Sequence, residues 1–99
     1  MQAAQVTYFL PLILQIQHAS PIKAIFWVDD IQCLVTGSWD KTIKYWDGRT
    51  ANAVHTTTLP ERLYTMDVKH PLCVAGTAER NILIYDLRKP NVEFKVKID

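Results

Sequence analysis

Three residues of this chain have the atom types of a hydrolytic triad. His18 could act as a base, Thr36 as a nucleophilic hydroxyl and Asp40 as the carboxylate that orients the imidazole. That chemistry needs a strained, exposed nucleophile beside an oxyanion hole. Thr36 instead lies inside the apolar run Cys33 to Gly37, with no elbow motif around it, so the expectation is a chain without catalytic activity. His55 and His70 stand alone in polar or turn contexts and are read as solvent-facing. Cys33 and Cys73 have neither a C-x-x-C partner nor a histidine at zinc-finger spacing, so no metal site is expected. The two thiols read as small core hydrophobes in a reducing compartment. No cofactor and no small-molecule substrate are expected.

The elements that must place these side chains repeat. Leu34 to Arg49 aligns on Cys73 to Arg88 without a gap, at a shift of 39 positions. Val35/Val74, Gly37/Gly76, Ile43/Ile82, Asp47/Asp86 and Arg49/Arg88 are identical. Each copy reads as four short strands. Lys23 to Val28 and Arg62 to Val68 are β-branched and aromatic segments that end in turns at Asp29-Asp30 and His70-Pro71. Cys33 to Gly37 and Leu72 to Gly76 are compact apolar runs of the kind buried on both faces. Thr42 to Trp46 and Asn81 to Tyr85 follow after the tight turns Trp39-Asp40-Lys41 and Ala78-Glu79-Arg80. Ala53 to Leu59 and Val92 to Ile98 alternate as outer strands half open to water. No stretch has capped helical periodicity. The expected fold class is all-β, about two four-stranded antiparallel units, with an atypical segment at 1–14, one repeat at 15–59 and a degenerate one at 60–99.

Composition narrows function further. The 99 residues are 48% hydrophobic and 21% charged with a formal net charge of +1, ordinary for a β protein and too balanced for a strong field. Lys and Arg are spread along the chain rather than clustered, which argues against binding nucleic acid by phosphate neutralisation. Tyr8 to Leu14 is apolar but has no basic residues before it, contains Pro11 and is too short to span a bilayer. It reads as an unpaired strand or an extension rather than a signal peptide.

Gln17-His18, Thr36-Gly37-Ser38-Trp39-Asp40 and Trp46-Asp47 resemble the signature of WD40 β-propeller repeats. The strings His18 to Lys23, Val35 to Asp47, Leu59 to Val68 and Ala75 to Leu87 resemble the messenger-RNA export factors of the nuclear pore and their sister family, the mitotic-checkpoint propellers. The last two strings lean toward the export factors. The resemblance runs from Gln15 to Phe94, two blades where a closed ring has roughly 4 to 8. The expectation is therefore an incomplete propeller.

The resemblance implies a hydrogen-bonded tetrad of His18, Thr36, Asp40 and Trp46. Its chemistry is sound, because Asp40 can accept from the imidazole, the imidazole from Thr36, and a buried indole N–H needs an acceptor. The second repeat has Ala75, Glu79 and Tyr85 at the corresponding places and lacks the tetrad. Trp39, in the turn between second and third strands, falls on the rim such proteins use for partner peptides, and Lys23, Glu61, Arg62, Tyr64 and Arg80 are candidates to share it.

The implied function is a non-catalytic scaffold at the nuclear pore and envelope, shuttling to the cytoplasm, that binds a nucleoporin-type peptide in RNA export. RNA contact is expected to be indirect, and membrane insertion is not expected. Asp47 with Arg49 and Asp86 with Arg88 form an aromatic-Asp-x-Arg pattern that in some WD40 proteins docks a ubiquitin-ligase adaptor. The plainer reading of it is local ion pairing. A checkpoint role, a cullin-RING substrate receptor and a gene remnant that does not fold stably remain the other readings.

Overall fold

The computed structural model describes residues 16–47 and 52–98. The expectations for the segment 1–14 and for Arg49 fall outside them. The strands are β1 (Ile22–Val28), β2 (Cys33–Ser38), β3 (Thr42–Trp46), β4 (Ala53–Thr58), β5 (Leu63–Lys69), β6 (Leu72–Thr77), β7 (Asn81–Asp86) and β8 (Lys89–Lys97). They form two antiparallel meanders, β1-β2-β3-β4 and β5-β6-β7-β8. The helical content of the described residues is two short 3-10 turns, Asp29–Ile31 and Ala78–Arg80. No helix of the described residues is long and apolar enough to cross a membrane.

The first sheet meets the second through β1 and β2 against β5. Cross-strand register explains which side chains arrive there. Val35 lies opposite Phe26 on one side and Tyr45 on the other, while Gly37 lies opposite Ala24 and Ile43. Directly opposed residues share a face of the sheet, so one face of the first blade offers Val35, Ile43, Tyr45 and Val28 to the core. The second blade answers with Leu63, Met66, Cys73, Ala75, Leu83, Tyr85 and Leu87, and Leu59 from the connector closes the top. Each such large side chain contributes about 1.5–3 kcal/mol by leaving water.

The repeat is not perfectly periodic. The backbone bond from Leu59 N–H to Lys41 C=O recurs between Ile98 and Arg80, and that from Trp39 N–H to Pro21 C=O recurs between Ala78 and Arg62. The shift of 39 holds from β2 onward, but β5 lies two positions late. The reason is the first turn of each blade, which spans residues 29–32 between Val28 and Cys33 but only 70–71 between Lys69 and Leu72.

Two expectations about burial are corrected. All six residues of β2 are buried, whereas β6 is buried on one face only. Cys73 and Ala75 point into the core, but Leu72 is 49% and Val74 37% exposed, because no described element lies over that side of the second sheet. The outer strand β8 starts at Lys89 rather than 92, and residues 93–98 are exposed on both faces. β4 does alternate, with every second residue partly buried.

Candidate functional site

The segment before β1 runs across the face of β2, and this lays the imidazole of His18 over Thr36. His18 Nε2 is 2.6 Å from Thr36 Oγ1, and Trp46 Nε1 donates to the same oxygen at 2.8 Å. His18 Nδ1 is 2.9 Å from Asp40 Oδ2. One assignment satisfies every partner: Trp46 N–H donates to Thr36 oxygen, Thr36 O–H donates to His18 Nε2, and His18 Nδ1–H donates to the Asp40 carboxylate. The His18 and Trp46 rings also meet edge to face, with centroids 6.3 Å apart. The Thr36 side chain is fully buried and its hydroxyl is engaged twice, so it has no reach to a substrate. The arrangement positions backbone rather than breaking bonds.

Residues not singled out in the sequence complete the network. Thr42 donates from its hydroxyl to Asp40 Oδ1 at 2.5 Å and from its backbone N–H to the same oxygen at 3.0 Å. The backbone N–H of Ala19 donates to Asp40 Oδ2 at 3.1 Å. Ser38 Oγ donates toward the carbonyls of Ser20 and Pro21 and accepts from the Asp40 N–H. The spacing Asp40-x-Thr42 was the available signal, since a carboxylate commonly accepts from the backbone two residues on. Lys41 completes this turn with a positive φ of 69°.

Burial acts to raise the pKa of Asp40, but the hydrogen bonds from Thr42, His18 and Ala19 outweigh it and hold the carboxyl below its ordinary value. A folded pKa below the unfolded one gives stability that is present above about pH 4 and lost as pH falls through the folded pKa. In melts followed by circular dichroism, the stability lead of the native chain over Asp40→Asn is expected to shrink as pH drops from 6 to below 4. A constant difference across that range would refute the coupling.

The second blade has no such relay. Ala75 is fully buried, Glu79 is exposed in its turn, and the Tyr85 hydroxyl donates outward to Glu93 Oε1 at 3.1 Å. Burial lifts the thiol of Cys73 to about 12, with the Asp67 carboxylate adding to it, so this cysteine is not a nucleophile at neutral pH. His55 and His70 are half-buried rather than solvent-facing. His55 packs edge to face on Tyr45, and His70 lies 3.6 Å from Asp30 across the lower end of the blades.

At the upper rim, the turn fixed by Asp40 presents Trp39, 38% exposed. Lys23 Nζ stands 5.0 Å from its ring centroid and the Arg62 guanidinium carbon 6.0 Å, while Arg62 is also 5.9 Å from the ring of Tyr64. Lys23, Trp39, Arg62 and Tyr64 thus form one cation–aromatic stack contributed by both blades. Glu61 pairs instead with Lys41 at 3.4 Å. Arg80 is exposed at the tip of the neighbouring turn, whose Ala78 N–H donates to the Arg62 carbonyl.

At the opposite end, Arg88 grips Asp86 through Nε at 2.9 Å and Nη2 at 2.7 Å. Arg88 thereby lowers the Asp86 carboxyl to about 2. Its guanidinium is committed within its own turn. Asp47 is half-buried.

Comparison with known proteins agrees with this architecture. Residues 11–47 match the family model described as WD domain, G-beta repeat. The chain is 54% identical over 82 residues to the Poly(A)+ RNA export protein of Schizosaccharomyces pombe, covering 80% of this chain and 23% of that protein. It is 46% identical over 80 residues to Protein Rae1 of Drosophila melanogaster, covering 79% and 23%. A chain in the crystal structure of a mitotic checkpoint complex superposes with a TM-score of 0.67 over 82% of this chain and 27% of its own length; at 18% identity, that likeness is one of fold. The chain therefore spans about a quarter of the length of these curated relatives.

Proposed function

Because this is a WD40-repeat chain built as two propeller blades and resembling the messenger-RNA export factors, we propose that it is a non-catalytic scaffold acting in RNA export at the nuclear pore. Its partner is a nucleoporin-type peptide bound on the rim that carries Trp39. The observation that supports this reading is the stack of Lys23, Trp39, Arg62 and Tyr64. An exposed indole flanked by two cations is a ready anchor, because a partner can cover the ring while its carboxylates meet the lysine and guanidinium. Glu61 already has Lys41, so the unopposed charge of the stack is positive and favours an acidic peptide.

The test is a titration of a labelled acidic nucleoporin-type peptide against the native chain and Trp39→Ala. Loss of a central aromatic anchor costs about 2 kcal/mol or more, roughly a thirtyfold rise in Kd. Binding that is unchanged in Trp39→Ala would remove the rim from the account. The affinity of the native chain should also fall as salt is raised, since both cations are solvent-exposed.

A further inference from the structure

Where the outer strands of the two blades face each other, the wall of the molecule opens into a polar cleft of about 200 Å³. β4 contributes His55 and Thr57 to it, and the second blade contributes Tyr85 and Glu93. Both walls belong to this chain, and none of these residues is part of the rim around Trp39. Register explains how they meet. His55 lies opposite Tyr45 and Thr57 opposite Ile43, so both share the face of the first sheet that turns to the second blade. Glu93 lies opposite Tyr85, a member of the core between the blades, and so stands on the face that turns back to the first.

The polar groups gathered here specify a cation rich in hydrogen-bond donors. Glu93 supplies negative charge. Its Oε1 accepts from the Tyr85 hydroxyl at 3.1 Å, and no lysine or arginine among the described residues lines the cleft. Lys95 is on the same face, opposite Leu83, but outside the cleft. Deeper in, Thr57 Oγ1 is buried without a hydrogen-bond partner among the described residues, and so is the Tyr45 hydroxyl toward which it leans. Buried hydroxyls are rarely left unpaired, and each can accept from an incoming donor. His55, packed edge to face on Tyr45 with centroids 5.5 Å apart, adds a ring to the wall. A carboxylate at the mouth, an acceptor inside and an aromatic ring alongside match a guanidinium, which is planar, permanently charged and carries five N–H donors. An anion would instead meet Glu93. Pockets for whole ligands run to about 300–1,000 Å³, so a cleft this small is sized for one side chain. We infer that the cleft receives the guanidinium of an arginine side chain from a partner protein, held by Glu93 and Thr57 on the outer wall between the blades.

The test is a nuclear magnetic resonance titration of the 99-residue chain with the capped tripeptide acetyl-Gly-Arg-Gly-amide. Saturable shifts are expected at His55, Thr57 and Glu93. The same peptide with citrulline keeps the shape and loses the charge. It should bind about tenfold more weakly, as should the arginine peptide to Glu93→Gln, since each change removes one hydrogen bond between charged groups. Thr57→Val should weaken binding severalfold. A threonine that served only the packing of Tyr45 would alter thermal melting and leave the affinity unchanged. The inference is overturned by a native chain without saturable shifts, by a citrulline or lysine peptide that binds as tightly, or by either variant matching the native affinity. Free L-arginine binding more tightly than the peptide would also overturn it, by marking a site for a metabolite rather than for a protein.

Discussion

Thr36→Val is expected to cost the fold about 2–6 kcal/mol, although it changes neither side-chain volume nor strand propensity by much. The hydroxyl it deletes is the acceptor for the Trp46 indole and the donor to His18 Nε2, and both partners stay buried when it is gone. A buried polar group left without its partner costs about 1–3 kcal/mol, and two are orphaned together. Thr36→Ser keeps the hydroxyl and loses one methyl, so its cost should be nearer 1 kcal/mol. Urea unfolding at neutral pH measures both, with an unchanged m-value showing that the denatured state is not the cause. A Thr36→Val chain within 0.5 kcal/mol of the native one would mean that the relay contributes nothing to stability. The corresponding residue of the second blade is already Ala75, whose cross-strand partners Met66 and Leu83 are apolar.

The second large effect is predicted where the blades touch. A Cβ placed on Gly37 would overlap Leu63 Cδ2 and lie 3.3 Å from Met66 Sδ. Leu63 is fully buried and cannot swing into solvent. Gly37→Ala should therefore destabilise by about 1–3 kcal/mol through overpacking. Leu63→Ala should cost about 2–5 kcal/mol through the cavity it leaves. Because the added methyl enters the space the leucine vacates, the double variant should be more stable than the sum of the two, with a coupling of about 0.5–3 kcal/mol. Strict additivity in denaturant unfolding would show that the blades do not meet at Gly37.

Much of this architecture is legible in the amino-acid order because each level of the sequence repeats. The run Leu34 to Trp46 has its copy 39 positions on, and both copies fold as a strand, a tight turn and a second strand. The four residues of the relay are named by the resemblance to WD40 repeats, and residue chemistry supports the assignment, since a buried indole and a buried hydroxyl must each find a partner. What could not be read depends on context outside the repeat. Leu72 and Val74 have the composition of a doubly buried strand, yet burial needs a neighbour, and composition does not say where the neighbour lies. Glu61 falls among the rim candidates by its place in the chain, but its carboxylate turns to Lys41, a residue whose type and position carry no mark of that role. The role of Arg62 is likewise one of position, because only the docking of β5 on β1 brings it over an indole 23 residues earlier in the chain. Thr42 and Ser38 were hidden for a different reason. Hydroxyl residues near a turn are so common that their types alone do not distinguish a network member from a solvated neighbour.

The relay of His18, Thr36, Asp40 and Trp46 is the feature on which the placement of Trp39 rests, because the turn that carries the indole is tied down on both sides by Asp40 and Ser38. It is tested most directly by long-range proton–nitrogen correlation NMR of the His18 ring at neutral pH. The arrangement predicts a proton on Nδ1, slow to exchange and shifted by its bond to the carboxylate, with Nε2 bare and accepting from Thr36. A ring protonated on Nε2, or one whose nitrogens exchange freely with water, would contradict it.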